Sequence, residues 1–215
     1  MVPLLGTILS KDRAQSVRYS APRMSPADAG RTRAAPVIVT LAMEDGARGR
    51  FQALRDAHFP SALNRVPAHL TLFHHLPSDA PDVIDDVLSR ACARPAFTLE
   101  VRPPRSIGRG VAFDCEGEAL HALRRSIAEA FTDELTRQDA QGFRPHVTVQ
   151  NKVTPDVAKA TLAAVADRYE PWSFEALGLI AWDYLGGPWR HRATYPFEGV
   201  EVGDVVVPAM PGDAP

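Results

Sequence analysis

The pattern His-aliphatic-Thr-aliphatic occurs twice, once in each half of the chain. The first copy is His69-Leu70-Thr71-Leu72 and the second is His146-Val147-Thr148-Val149. Successive side chains of a β-strand point to opposite faces, so each copy predicts a strand with its two aliphatic residues in the core. The histidine and the threonine would share the other face. Two such strands facing each other would place two imidazoles and two hydroxyls around one small space.

The segments around the two copies recur in the same order: strand, helix, motif strand, helix, strand. In the first half, apolar periodicity predicts these elements at about 35–42, 45–59, 67–75, 78–93 and 97–104. In the second half, the corresponding ranges are about 110–117, 118–135, 145–151, 154–166 and 172–185, and a turn at 186–188 leads into a last strand at 189–197. A lone four-residue match occurs often by chance, whereas two matches at equivalent positions of a repeated unit indicate a shared site.

The two ends of the chain differ from this repeated region. Residues 1–34 are rich in Pro, Ser, Arg, Ala and Gly without sustained periodicity, which predicts a disordered N-terminal extension. Residues 35–198 would form the folded domain, built from two duplicated lobes. Residues 199–215 are rich in acidic residues, Pro and Gly, so we expect a loose tail, with Val205-Val206-Val207 as a possible short edge strand.

Composition excludes several classes of function. The net charge is −2, from 24 basic and 26 acidic residues, whereas proteins that hold long duplex nucleic acid usually carry a basic excess. No apolar run reaches the ~18 residues of a membrane span. The two cysteines, Cys92 and Cys115, form no CxxC pair, which is typical of a reduced, cytoplasmic protein. The three lysines lie in no Walker loop and no Lys-x-Asp-Gly sequence.

With its two H-x-T-x copies, the sequence resembles the 2H phosphoesterase superfamily, the group of 2′-5′ RNA ligases and cyclic phosphodiesterases. The surrounding HLTLFHHLP and the segment 183–190 also resemble bacterial members. The resemblance implies an α+β fold that is bilobal and pseudo-twofold, with two antiparallel sheets around a central cleft and helices outside. It also implies metal-independent attack on a phosphoester, with no cofactor and with His69, Thr71, His146 and Thr148 as catalytic residues.

The residue types suit that chemistry. An unperturbed histidine has a pKa of ~6.5, so near pH 7 one imidazole can act as base while another acts as acid. The threonine hydroxyls can donate hydrogen bonds to phosphate oxygens. The resemblance implies a 2′,3′-cyclic phosphate, on an RNA end or a small cyclic nucleotide, as the substrate, so we expect a hydrolase of that group, and we expect a monomer. Reversible 2′-5′ RNA joining and a non-catalytic module that binds phosphorylated RNA ends are the alternatives, and the sequence does not assign the acid and the base.

Three further residues are candidates for substrate binding because alternation places them on the motif face: Phe73, Arg144 and Gln150. Phe73 could stack on a base or pack in the core, and Arg144 could meet a phosphate or form a surface ion pair. Adjacent strand residues face opposite ways, so His74 and His75 are interpreted as structural rather than as a metal pair. Aromatic residues of the closing hairpin, Trp182 and Trp189 among them, are interpreted as core.

Overall fold

A computed structural model describes residues 35–77, 81–187 and 189–210. The strands are β1 (Val37–Met43), β2 (Thr71–Leu76), β3 (Phe97–Ser106), β4 (Val111–Glu116), β5 (His146–Gln150), β6 (Trp172–Tyr184) and β7 (Trp189–Pro196). The helices are α1 (Asp45–His58), α2 (Pro81–Cys92), α3 (Glu118–Ala130), α4 (Arg137–Ala140) and α5 (Pro155–Asp167). Each element matches a predicted one except the short α4, which follows a helix that ends earlier than expected. Among the described residues, none of the helices has the length and apolar character that a membrane span needs.

Local signals account for several element ends. Helix α5 begins as predicted, with Thr154 as N-cap and Pro155 in the first turn, where its missing N–H has no intrahelical partner to lose. The turn after β6 uses Gly186 at a φ of 83°, a left-handed conformation that glycine adopts without steric cost. The predicted N-terminal extension and the predicted cap of α2, Ser78 or Asp79, lie outside the described residues.

The strands form one antiparallel sheet in the order β2-β1-β6-β3-β4-β5, and β7 also pairs with β6. The α+β class is therefore confirmed, but the strands are not divided into the two separate sheets that were expected. The reason is the length of β6: its first residues, 172–176, pair with β3, and its later residues pair with β1 and β7. One strand thus serves both halves of the repeat.

The two motif strands lie at opposite ends of this order, yet they meet. Leu70, just before β2, forms an isolated antiparallel bridge with Val147 of β5. The backbone N–H of Leu41 donates to the carbonyl of Leu70 at 2.9 Å, which holds the same residue to β1. The sheet therefore curls until its terminal strands touch at the motifs, and we call this contact between Leu70 and Val147 the seam.

Two apolar clusters stabilise the sheet, one on each face. The larger contains inward residues of the strands and the apolar faces of α1, α2, α3 and α5, with Phe51 of α1 near its centre. The ring of Phe51 lies 5.9 Å from that of Phe113 and 5.0 Å from that of Trp172. The smaller cluster consists of Ile38, Ala42, Ile180, Trp182, Val205 and Met210. Because all the long helices pack in the first cluster, the motif face of the sheet is left for other contacts.

The smaller cluster corrects the expectation of a loose tail. Residues 199–210, here called the C-terminal segment, pack against the motif face of β1 and β6. Val205 and Met210 are only 6% and 5% exposed, and Val202–Asp204 form a short 3-10 turn. Val205 to Val207 form no strand, since their partners are side chains of the sheet face rather than a strand edge.

Candidate active site

The two motif histidines make the same hydrogen bond. Nδ1 of His69 donates to the carbonyl oxygen of Pro67 at 2.6 Å, and Nδ1 of His146 donates to the carbonyl oxygen of Arg144 at 2.9 Å. A carbonyl oxygen can only accept, so Nδ1 carries a proton in both rings. This leaves Nε2 of each imidazole as the atom that can accept and release a second proton. Both acceptors lie two residues before the histidine, a signal that the sequence analysis did not use.

The predicted sorting of side chains between faces is present in both copies. The aliphatic residues of both motifs are at most 1% exposed: Leu70, Leu72, Val147 and Val149. The histidines and the threonines are only partly buried. Thr71 lies opposite Thr40 of β1, and Thr148 lies opposite Ala112 of β4. Each imidazole therefore has a threonine two residues away on the same face of the sheet.

Arg55 of α1 joins the two motif copies. Its Nε donates to Oδ1 of Asn64 at 2.8 Å and to the carbonyl of Val66 at 3.0 Å, in the loop that leads to His69. Its Nη1 donates to the carbonyl of Thr148 at 2.8 Å. The residue is 5% exposed, and burial lowers the pKa of its guanidinium to about 10, so the group remains charged at pH 7. Arg55 could not be predicted from the sequence, because nothing in a helical arginine indicates partners so distant in the chain.

His69 occupies an enclosed position. Burial lowers the pKa of its imidazole to about 4, the hydrogen bond to Pro67 opposes this shift, and the positive charges of Arg55, His74 and His146 add to it. The residues that follow the two histidines, Leu70 and Val147, are bridged at the seam, so both imidazoles belong to this region of the sheet. The ring of Trp189 lies 4.9 Å from that of His69. At neutral pH His69 is therefore uncharged, with a free lone pair on Nε2.

The C-terminal segment covers this side of the site. His69, Trp182 and Trp189 share a cavity of about 20 Å³ with Val206, Pro208 and Met210. A cavity of this size has room for about one water molecule, so it is far smaller than a nucleotide. Trp182 is 1% exposed and donates its indole N–H to Oγ1 of Thr40 at 2.9 Å. Trp182 thus lies in the core as expected, whereas Trp189 lies beside a motif histidine.

His146 has a different environment, which contains ionic side chains. Asp114 of β4 lies directly opposite His146 in the sheet and is 6% exposed. Its carboxylate accepts Nε of Arg105 at 2.6 Å and both Nε and Nη2 of Arg144 at 3.0 and 2.6 Å. Arg144 therefore forms the ion pair that was one of its two predicted alternatives, with the carboxylate that lies opposite His146. Neither Asp114 nor Arg105 was predicted from the sequence to belong to the site.

The other two candidate binding residues lie in the core, which was one of the two alternatives for Phe73 but was not expected for Gln150. Phe73 is completely buried, with the guanidinium of Arg124 3.7 Å from its ring centroid. Gln150 is 2% exposed and donates to Oγ1 of Thr161 at 2.8 Å. The pairing register shifts between residues 39 and 40 of β1 and between residues 111 and 112 of β4. Such irregularities break the simple alternation of faces. Alternation therefore does not predict on which face of the sheet the residues after each threonine lie.

His74 and His75 anchor the motif strand through their backbones. Their N–H groups donate to the two carboxylate oxygens of Asp139, at 2.8 and 2.9 Å, and Nδ1 of His74 lies 3.3 Å from the same carboxylate. Asp139 belongs to α4 and is 4% exposed. This contact agrees with the structural interpretation of the two histidines. It ties the edge strand β2 to the helix that precedes β5.

Comparison with known proteins places this geometry in a family. The solved structures that resemble the chain include the Thermus thermophilus protein TT0787 (TM-score 0.54), a phosphoesterase (0.52) and Escherichia coli LigT in complex with 3′-AMP (0.51). Each is 16% identical to the chain, and each match covers 76% of this chain and 98% of the other. At that identity the matches show a shared fold. No curated protein sequence matches the chain significantly.

A match to the sequence model of a protein family shows which family the chain belongs to. The model of the 2′-5′ RNA ligase superfamily matches residues 43–188, which include both motif copies and most of the sheet. The chain therefore belongs to the 2′-5′ RNA ligase superfamily.

Proposed function

We propose that the protein is a phosphoesterase that hydrolyses a 2′,3′-cyclic phosphate, on an RNA end or a small cyclic nucleotide. The observation that carries the proposal is the matched pair of Nδ1 hydrogen bonds, which leaves Nε2 of both His69 and His146 for proton transfer. Membership of the superfamily supports phosphoester chemistry. Nucleotide binding is supported by LigT, whose structures contain 3′-AMP and NADP+. A nucleoside 3′-monophosphate is one product that opening a 2′,3′-cyclic phosphate can leave.

The proposed reaction is a displacement at phosphorus by water. Nε2 of one imidazole takes a proton from the water as its oxygen bonds to phosphorus. The bond from phosphorus to one ribose oxygen breaks, and Nε2 of the other imidazole gives its proton to that oxygen. The product is a phosphate monoester with a free neighbouring hydroxyl. A positioned acid and a positioned base each contribute typically ~10²–10⁴-fold to such a rate.

The enclosed position of His69 supports a division of roles. With its pKa lowered to about 4 by burial, His69 is neutral at pH 7 and is suited to accept the proton of the water. His146 would then donate to the leaving oxygen. After one turnover the two rings have exchanged protonation states, and exchange with solvent restores them.

The threonines would stabilise the charge on the phosphate. Thr71 and Thr148 share a face with the two imidazoles and are partly exposed. A hydroxyl can donate one hydrogen bond, and donors aimed at oxygens that gain charge in the transition state lower the barrier. One hydroxyl from each side of the seam would hold the two non-bridging oxygens.

Replacing the histidines tests the proposal. With 2′,3′-cyclic AMP as substrate, we expect His69→Ala and His146→Ala each to lose at least ~10²-fold in kcat while unfolding at nearly the temperature of the parent protein. His121→Ala is the matched control. This histidine lies on α3, 3.6 Å from Glu116, and its replacement should leave kcat within about twofold.

Two outcomes would overturn the assignment. A folded His146→Ala protein with full activity would show that the second motif has no part in the chemistry. Binding of cyclic and linear phosphates without turnover by the parent protein would instead indicate a non-catalytic module.

A further inference from the structure

The cluster of charged residues beside His146 holds more positive charge than its own carboxylate neutralises. Arg105 and Arg144 both pair with Asp114, and the structure shows no other ion pair for either arginine within its described residues. The Asp114 side chain is 9% exposed, whereas those of Arg105 and Arg144 are 25% and 62% exposed. Two guanidinium groups and one carboxylate leave a net charge of one positive unit at this place.

The sheet register places the cluster on the motif face. Asp114 pairs with His146, and Ala112 pairs with both Thr148 and Arg105. Directly opposed residues of antiparallel strands carry their side chains on the same face, so Arg105 lies in one row with Thr148. Adjacent strands are ~4.8 Å apart, which puts the Arg105 backbone ~10 Å from that of Thr148. The intervening residue is an alanine, which adds little bulk between them.

The hydrogen bonds orient both arginines without using all their donors. A guanidinium has five N–H groups; Asp114 accepts from Nε alone of Arg105 and from Nε and Nη2 of Arg144. The remaining N–H groups are free of this carboxylate and are held in fixed directions. Fixing a side chain before a ligand arrives reduces the entropy lost on binding, and planar guanidinium groups match the oxygens of a phosphate.

We propose that Arg105 and Arg144, oriented by Asp114, bind a second phosphate of the substrate, the one that neighbours the reacting phosphate. The substrate class is then a nucleotide with two phosphates one nucleoside apart, rather than a nucleoside cyclic monophosphate alone. The second phosphate can be the 5′-phosphate of a mononucleotide or the last phosphodiester of a short RNA. This inference rests on the proposed function, because that function places the reacting phosphate at His146 and Thr148.

Equilibrium binding tests the inference without requiring turnover. The probes are 3′-AMP and adenosine 3′,5′-bisphosphate, measured by isothermal titration calorimetry on the full chain. One or two charge-assisted hydrogen bonds correspond to about tenfold or more in affinity, so the parent protein should bind the bisphosphate at least about tenfold more tightly. Arg144→Gln and Arg105→Gln should each reduce this ratio towards one.

Arg102→Gln is the matched control. Arg102 lies on the same strand as Arg105 and pairs with its own carboxylate, Glu100, at 3.0 Å. Its replacement should leave the affinity ratio at the value of the parent protein. Equal affinities for the two probes in the parent protein would overturn the inference, as would an unchanged ratio in the two variants of the cluster. Thermal unfolding of each variant shows whether the loss of one partner of Asp114 has disturbed the fold.

Kinetics then separates the two sources of the phosphate. The substrates are adenosine 2′,3′-cyclic phosphate, its 5′-phosphorylated form, and the dinucleotide ApA ending in a 2′,3′-cyclic phosphate. A higher kcat/KM for both phosphate-bearing substrates indicates a site for either source, and a gain for one alone identifies that source. Hydrolysis of the plain cyclic nucleotide with no gain for the others would overturn this inference and leave the proposed function intact. No hydrolysis of any substrate would overturn the proposed function, and the two binding probes would still decide the second phosphate site.

Discussion

The two motif copies have the same local geometry and different surroundings. In both, the imidazole donates Nδ1–H to the carbonyl two residues earlier and shares its face with a threonine. Around His69, however, Trp189 and the C-terminal segment enclose the ring. Around His146, Asp114 and two arginines form a cluster that is partly open to solvent. The repeat therefore supplies two imidazoles with matched hydrogen bonds, and residues that differ between its two halves make their surroundings chemically unequal.

This inequality has a functional consequence. A symmetric pair of histidines could exchange the roles of acid and base, and the substrate could bind in either direction. Enclosure of His69 favours its neutral form, while the positive charge beside His146 favours an anionic group there. Together they would give the substrate one preferred direction across the seam.

The largest expected effect on stability comes from removing the residue that the two sides share. Arg55 bonds both the loop before His69 and the carbonyl of Thr148. Arg55→Met would leave these buried acceptors without partners, at roughly 1–3 kcal/mol for each unsatisfied group. We expect the free energy of unfolding in urea to fall by roughly 2–4 kcal/mol and kcat to fall at least about tenfold, since both histidines would lose their common support.

Arg50→Met on the same helix is the control for Arg55. Arg50 is exposed and lies 4.3 Å from the ring centroid of Trp172, so its loss should cost no more than about 1 kcal/mol. Arg55→Lys keeps the charge without the planar guanidinium, so its free energy of unfolding and its kcat should lie between those of Arg55→Met and Arg50→Met. An Arg55→Met protein with the stability of its parent would show that the seam does not depend on this residue.

Part of the candidate site could be predicted because buried and partly exposed residues alternate along each motif strand. Because alternation is local to a strand, the faces of His69, Thr71, His146 and Thr148 follow from four residues at a time. The same local pattern predicted nearly every strand and helix. It could not predict that β6 is long enough to join all the strands in one sheet.

The misplaced residues depend on irregular or long-range contacts. Phe73 enters the core because the register shifts beside it, and a shift of this kind has no signal in a single strand. Arg55 and Asp114 bond to residues that are distant in the chain. Residue type alone does not predict such pairings. The C-terminal segment is rich in acidic residues, Pro and Gly, yet Val205 and Met210 are buried against the motif face and Val200 and Val207 pack beside them.

Releasing the C-terminal segment from the His69 side should have a smaller effect, on the fluorescence of Trp182 and on kcat/KM. Val205→Asp places a charge in the cluster that contains Ile38 and Trp182, so the segment should detach while the main core stays folded. Exposure of Trp182 should shift its fluorescence to longer wavelength. If the segment restricts access to His69, kcat/KM for a cyclic nucleotide should rise several-fold.

Val202→Asp, three residues earlier, is the control for this release. Val202 is 64% exposed, so an aspartate there should change neither the fluorescence nor the rate. A fall in kcat/KM for Val205→Asp, with the main core intact, would contradict a covering role and show that the segment helps to build the substrate pocket.

The most direct test of the comparison is the titration of His69. Its imidazole should titrate near pH 4 by NMR, because burial lowers its pKa to about 4 from the ~6.5 of an unperturbed histidine. The unfolded chain takes up this proton near pH 6.5 and the folded chain only near pH 4. The free energy of unfolding therefore falls as the pH drops through this window, and His69→Gln should reduce that fall.

Release of the C-terminal segment should also change this titration. In Val205→Asp the ring of His69 gains solvent, so its pKa should rise towards 6.5, and the acid limb of kcat/KM should move to higher pH with it. Val202→Asp should titrate like the parent protein. A parent His69 that titrates near 6.5 would remove the reason to assign His69 as the base.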